Sequence, residues 1–191
     1  MNKSIWTPGY SFMDIKDIVD EYRRQYPMLQ TIPVDIEAFL EFDLKINIEP
    51  SADLKNRVQA EAMISLDFST IYVDKEAFCN EKLWNRLRFS LAHELGHLVL
   101  HKDFFDRQII RSESDWLQFM SDIQLKYVFL EYQANCFAGQ ILMPTDELRK
   151  ELQNDSVPTI ATLSRKFEVS TASVKKRIVC EDTIDILKSI E

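Results

Sequence analysis

Apolar positions recur along most of this chain with a helical period, and alternating stretches are confined to its first half. Ile15, Ile18, Val19 and Tyr22 predict a helix over 13–26 that ends before Pro27. Residues 1–12 show no period and are expected to form a loosely held arm. A second short helix follows Pro33, with Ile36, Phe39 and Leu40 on one side. From Leu44 to Glu49 the period changes to two (Leu44, Ile46, Ile48), which marks a short strand, and 50–56 is turn-like. Val58–Leu66 and Thr70–Val73 read as two strands joined at Asp67-Phe68-Ser69, an antiparallel hairpin. Thr70–Val73 is expected to be a sheet edge to which an extended peptide adds.

Helical periodicity dominates afterwards. One helix is expected over 80–101, with Leu87, Leu91, Leu95 and Leu98 as its core stripe, and a strong one over 123–142. The stretch 102–122 between them is polar and irregular, with one short helix around 116–120. Pro144 opens a helix that continues to Leu152, and 154–158 reads as a linker. Residues 159–180 read as two short helices around Glu168-Val169-Ser170, with Ser170 as N-cap and Val169 and Val174 placed as a hydrophobic staple. The expected class is α+β, mainly helical with a small, mostly antiparallel sheet. One unit is expected over 1–153, with a helical segment over 154–191 packed on it.

Composition narrows this picture. A chain of 191 residues can bury a sizeable core, and only three Gly argue against many tight β-turns. A net charge of −8 disfavours nonspecific nucleic-acid binding by the chain as a whole. Cys79, Cys136 and Cys180 have no motif spacing and read as reduced thiols. The first residues lack an apolar run, so no signal peptide is expected. The run Tyr127–Met143 is interrupted by Glu131, Gln133, Asn135 and Gln140 and is too polar and short to span a bilayer. The expected location is the cytoplasm, with no membrane partner.

The chemistry concentrates in one place. All three histidines fall within nine residues, and His93-Glu94-Leu95-Gly96-His97 is the pattern that sets two zinc ligands and a general base on one helix. His93 and His97 sit one turn apart on a shared face with Gly96 and His101. Glu94 flanks that face without having to bind the metal, where a hydrolytic base is needed. Gly96 costs about 1 kcal/mol against Ala in a helix interior, which points to a packing reason. His101 lies about 12 Å along the axis from His93, so a third ligand must come from elsewhere. In the later helix Glu131, Ala134, Asn135 and Ala138 share one mostly small face, which could meet the Gly96 face and deliver Glu131 to the metal. Two His and one Glu would leave a fourth position for water. Glu113, Asp103, Asp106 and Asp122 are the alternatives.

Arg88-Phe89-Ser90-Leu91-Ala92-His93-Glu94-Leu95-Gly96-His97, then Glu131-x-x-Ala134-Asn135-x-Phe137-Ala138, then Leu142-Met143-Pro144, resembles the ImmA/IrrE-type metallopeptidases. The resemblance covers roughly 86–144 and implies a zincin-like, gluzincin-type fold. It implies Zn2+ at His93, His97 and Glu131, with Glu94 as base. It also implies a substrate class, helix-turn-helix repressors cut to relieve repression. Two departures stand out: Gln133 occupies a position that is often a second Glu, and 29 residues lie between His101 and Glu131. Asn135 is a candidate to orient a ligand, and Tyr127 and His101 are candidates for the oxyanion donor.

A rival reading starts at the other end of the chain. Residues 159–180 carry Arg165, Lys166, Lys175, Lys176 and Arg177 against Glu168, a local basic excess that suggests a helix-turn-helix. A DNA-binding regulator using the zinc site structurally or as a sensor is therefore the alternative, although similar tails in the resembled family need not bind DNA. A zinc-dependent toxin of a two-protein module would share the protease chemistry and differ in target.

Overall fold

The first helix starts where a reciprocal cap forms. The Ser11 hydroxyl accepts from the Asp14 amide at 3.1 Å, while the Asp14 carboxylate accepts from the Ser11 amide at 2.8 Å. Helix α1 (Phe12–Gln25) then buries Phe12, Ile15 and Val19, in keeping with the apolar spacing. The computed structural model describes residues 7–107, 113–153 and 158–180. Residues 1–6 of the expected arm and most of the expected linker lie outside the described residues. Where the arm is described it is not loose: Pro8 is buried, and its carbonyl accepts from Gln133 Nε2 at 3.0 Å.

After α1, helix α2 (Ile36–Ala38) is capped by the Asp35 carboxylate and widens into a π-turn over Phe39–Asp43, burying Ile36, Phe39 and Leu40. Strand β1 runs over Asn47–Ser51, later than the alternation predicted, and includes Pro50. Proline is tolerated because β1 is an edge strand whose outer side needs no donor. Leu54–Val58, expected to be turn and strand, forms the short helix α3, and β2 is only Ala62–Ile64.

Strand β3 (Thr70–Asp74) pairs antiparallel with β2 over three residue pairs, as the hairpin reading expected. It also pairs parallel with β1 over five, so the sheet is mixed rather than mostly antiparallel. The order β1-β3-β2 puts Thr70–Val73 at the centre, not at an edge. Both its ladders are occupied, and Ile71 and Val73 are fully buried. Alternation along one strand cannot tell a centre from an edge, because it records only which faces are covered.

Helix α4 (Lys75–Cys79) leads to α5 (Trp84–Asp106), and α6 follows over Glu113–Leu142. The expected irregular stretch 102–122 is therefore helical over 102–106 and 113–122. Its apolar groups carry the reason: Phe104, Phe119, Ile123 and Leu130 close a second small core between the far ends of α5 and α6. No Gly or Pro stands between Gly96 and Gly139 to stop a helix.

Helices α7 (Thr145–Leu152), α8 (Ile160–Phe167) and α9 (Thr171–Arg177) complete the described chain. Ser170 caps α9 through a bond from the Ser173 amide, and Val169 and Val174 are fully buried beside it, as the staple reading expected. Leu163, Phe167, Val169 and Val174 join the same apolar core as Leu91, Leu95 and Phe137. The described residues are mostly helical with a small mixed sheet, an α+β arrangement. Among them no helix is long and apolar enough to cross a membrane.

Helices α5 and α6 cross at Gly96. A Cβ there would lie 3.1 Å from both the Ala134 Cα and its carbonyl oxygen and 3.2 Å from the Phe137 Cβ. Gly96→Ala should gain about 1 kcal/mol of helix propensity and lose roughly 1–3 kcal/mol to overpacking against backbone that cannot yield. Denaturant titration should show a net loss of up to about 2 kcal/mol, and a larger loss for Gly96→Val. A Gly96→Val protein as stable as wild type would contradict this packing.

Candidate metal centre

The close crossing decides which side chains meet. From α5, His93 and His97 present their Nε2 atoms 3.0 Å apart. From α6, Glu131 places one carboxylate oxygen 3.3 Å from His93 Nε2 and the other 3.2 Å from His97 Nε2. These three residues form the only group of His, Cys, Asp and Glu among the described residues with the spacing of a metal site. Ligand atoms held tetrahedrally at about 2.0–2.1 Å from zinc lie roughly 3.3 Å from one another. The observed spacings fit that shell.

The neighbours of these residues fix their orientation. Asn135 donates from Nδ2 to the Glu131 backbone carbonyl at 2.8 Å, which leaves its Oδ1 facing His93 Nδ1 at 3.2 Å. A carbonyl oxygen can only accept, so His93 carries a proton on Nδ1 and turns its Nε2 toward Glu131 and His97. Tyr127 lies one turn before Glu131, and burial, with the nearby Glu131 carboxylate, raises its phenol above the ordinary range. Glu94 is buried beside the histidines, and its Oε2 accepts from the Ile64 amide of β2 at 2.9 Å.

The electrostatics follow from burial and from these contacts. Burial raises the Glu94 carboxyl, partly offset by His93, His97 and the Ile64 amide. Burial would also raise Glu131, but its bonds to His93 and His97 outweigh that and hold it well below the usual carboxylate range. Burial pulls His93 down, while Glu131, Glu94 and Asn135 together leave it above its ordinary value. His101 is fully buried, and desolvation lowers it to about 4. Two imidazole nitrogens and a carboxylate brought this close share a cation, either a proton or a metal ion.

The structure thus brings His93, His97, Glu131 and Glu94 together, with Asn135 and Tyr127 at the same place. His101 stands apart from the oxyanion role considered for it. It lies behind His97 with both ring nitrogens engaged, by His97 Nδ1 at 3.1 Å and Gln133 Oε1 at 3.0 Å, and is closed to a substrate. Of the alternative acids, Asp106 pairs with Lys102 and Asp103 is exposed, while the side chains of Glu113 and Asp122 lie outside the described residues. Sequence reasoning assigned no site role to Ile64, Gln133 or Pro8. Gln133 had a signal, since it interrupts the apolar stripe Leu130, Ala134, Phe137, Ile141. The Ile64 and Pro8 contacts use backbone atoms, which carry no residue-type signal.

Comparison with known proteins gives two findings. A family model described as Peptidase_M78, the IrrE N-terminal-like domain, matches residues 84–179. A solved structure of a Mycobacterium tuberculosis transcriptional regulator is similar over 85% of this chain at 17% identity, with a TM-score of 0.53, and this chain spans 46% of that one. At that identity the likeness is one of fold. No curated protein matches the chain by sequence.

The low value of His101 makes stability depend on pH. Its folded pKa of about 4 lies below the ordinary 6.5, so between these values the unfolded chain binds the extra proton. Stability from this group is full above about pH 6.5 and declines as pH falls toward 4. In metal-free protein, a His101→Gln variant should lose about 2 kcal/mol less than wild type between roughly pH 7 and 5. Equal losses in denaturant titrations at the two pH values would contradict a buried neutral imidazole.

Proposed function

Because the chain belongs to the IrrE N-terminal-like peptidase family, whose members typically depend on a metal, we propose that it is a zinc-dependent endopeptidase with a zincin-like fold. His93, His97 and Glu131 hold the metal and Glu94 is the base. The observation that carries this reading is the convergence of two imidazole nitrogens and one carboxylate, 3.0–3.3 Å apart, with a buried carboxyl beside them. Two imidazoles and a carboxylate also suit non-haem iron. Glu94 separates the two chemistries, since a hydrolytic centre needs a proton acceptor there and an iron oxygenase does not.

When bound, zinc supplies Lewis acidity toward a scissile carbonyl and acidifies a water toward about pKa 7. Everything else comes from this chain. The Ile64 amide pins one Glu94 oxygen, which leaves the other to take the proton from the attacking water and return it to the leaving amine. Asn135 holds the His93 ring in plane, and Tyr127 is the remaining donor for an oxyanion. A substrate strand would add along β2, an outer strand whose Ile64 lies beside Glu94.

The substrate read here is a helix-turn-helix repressor, cleaved in the cytoplasm to relieve repression. Residues 1–153 form the peptidase unit in this reading, and 154–191 the helix-turn-helix-like segment, of which 154–157 and 181–191 lie outside the described residues. A DNA-binding regulator is the second reading, favoured by the capped pair α8–α9 and by a structural neighbour that is a transcriptional regulator. The fate of the basic residues weakens it. Arg177 is buried, with Nη2 on Gln140 and Thr145, and Lys166 pairs with Glu151 at 2.5 Å. Arg165, Lys175 and Lys176 remain exposed.

Purified protein should contain about one zinc per chain, lost in a His93→Ala/His97→Ala double variant. Glu94→Gln should keep the zinc while cleavage of a repressor encoded beside it falls by about 10²–10⁴-fold. Unchanged cleavage would remove Glu94 from the mechanism. Specific promoter binding at physiological salt that Lys175→Ala/Lys176→Ala abolishes, without proteolysis, would favour the regulator.

A further inference from the structure

A buried polar chain reaches the metal site from the N-terminal segment, and the mechanism above does not use it. Gln133 donates from Nε2 to the Pro8 carbonyl at 3.0 Å, and its Oε1 lies 3.0 Å from His101 Nε2. His101 Nδ1 in turn lies 3.1 Å from His97 Nδ1. A backbone carbonyl can only accept, so the amide of Gln133 has one orientation, NH2 toward Pro8 and oxygen toward His101. That oxygen can only accept, so His101 carries its proton on Nε2. A neutral imidazole has one such proton, so His101 Nδ1 is bare. The hydrogen between the two rings therefore belongs to His97 Nδ1, and Nε2 is the nitrogen of that ring turned toward Glu131 and His93. A charged His101 would break the sequence, but the ring is fully buried between an amide oxygen and another imidazole, with no carboxylate in contact among the described residues.

We propose that Gln133, anchored on the Pro8 carbonyl and acting through His101, is the positioning residue that fixes the His97 tautomer and keeps its Nε2 open to the metal. His93 has its own short device in Asn135, held on the Glu131 carbonyl of the same helix. His97 depends on a longer one that draws in the N-terminal segment. The importance of the tautomer rests on the metal reading, but the tautomer itself is a property of the metal-free protein. The two therefore fail separately.

The test is a long-range proton–nitrogen correlation spectrum of the three imidazoles in the metal-free full chain at neutral pH. His97 should show a protonated Nδ1, and His101 a bare Nδ1 with its proton on Nε2. His97 bare at Nδ1, or His101 protonated there, would overturn the proposal whether or not zinc binds. Correct tautomers in a protein that binds no zinc would count against the metal reading and leave the relay standing. Gln133→Leu removes the acceptor and should weaken zinc binding by about 10–100-fold in a chelator competition. If Gln133→Leu does not fold, the wild-type spectrum alone decides.

Discussion

The distance between α5 and α6 at Gly96 governs the rest of the molecule. A glycine facing Ala134 lets the two helices meet backbone to backbone, with a missing Cβ where contact would fall to 3.1 Å. At that separation a short glutamate on one helix reaches imidazoles on the other. One added methyl group would push Glu131 away from His93 and His97. The helical penalty of the glycine, about 1 kcal/mol, is offset by a contact that no larger residue permits. The sheet is subordinate to this pair: β2 is three residues long, and its Ile64 amide holds Glu94.

Around the crossing, the buried polar groups are arranged so that each leaves the next with one choice. Glu131 supplies a carboxylate to the site through its side chain and orients Asn135 through its backbone carbonyl. His101 does not touch the metal-facing atoms, yet its burial keeps it neutral and therefore able to accept from His97. Such a network is costly to leave half satisfied in a low-dielectric interior. That cost explains why the segment around Pro8 is drawn into the core rather than left loose.

How much of this the sequence reveals depends on what carries the signal. The residues that converge at the crossing were legible because side-chain identity and helical spacing define them: His93, Glu94 and His97 by position, Glu131 by the small face around it. The helix pair at 160–177 was legible through Ser170 and its flanking valines. Strand order was not, because Thr70–Val73 alternates in the same way whether it has one neighbour or two. Residues 102–106 and 113–122 read as irregular because their charges mask Phe104, Phe119 and Ile123, which meet only when the two helices fold against each other. Gln133 and Pro8 matter through a tertiary hydrogen bond spanning most of the chain, and no local pattern encodes it.

The fold likeness to a transcriptional regulator and the family match to a peptidase are compatible, since α8 and α9 share one core with the helices that bear the site. The central claim is that this core presents two imidazoles and a carboxylate to a hydrolytic zinc. X-ray absorption at the zinc edge of the purified full-length protein tests it most directly. The account predicts a four-coordinate shell of nitrogen and oxygen at about 2.0–2.1 Å with the signature of two imidazoles. A sulfur shell at about 2.3 Å, or a shell without imidazole, would contradict it.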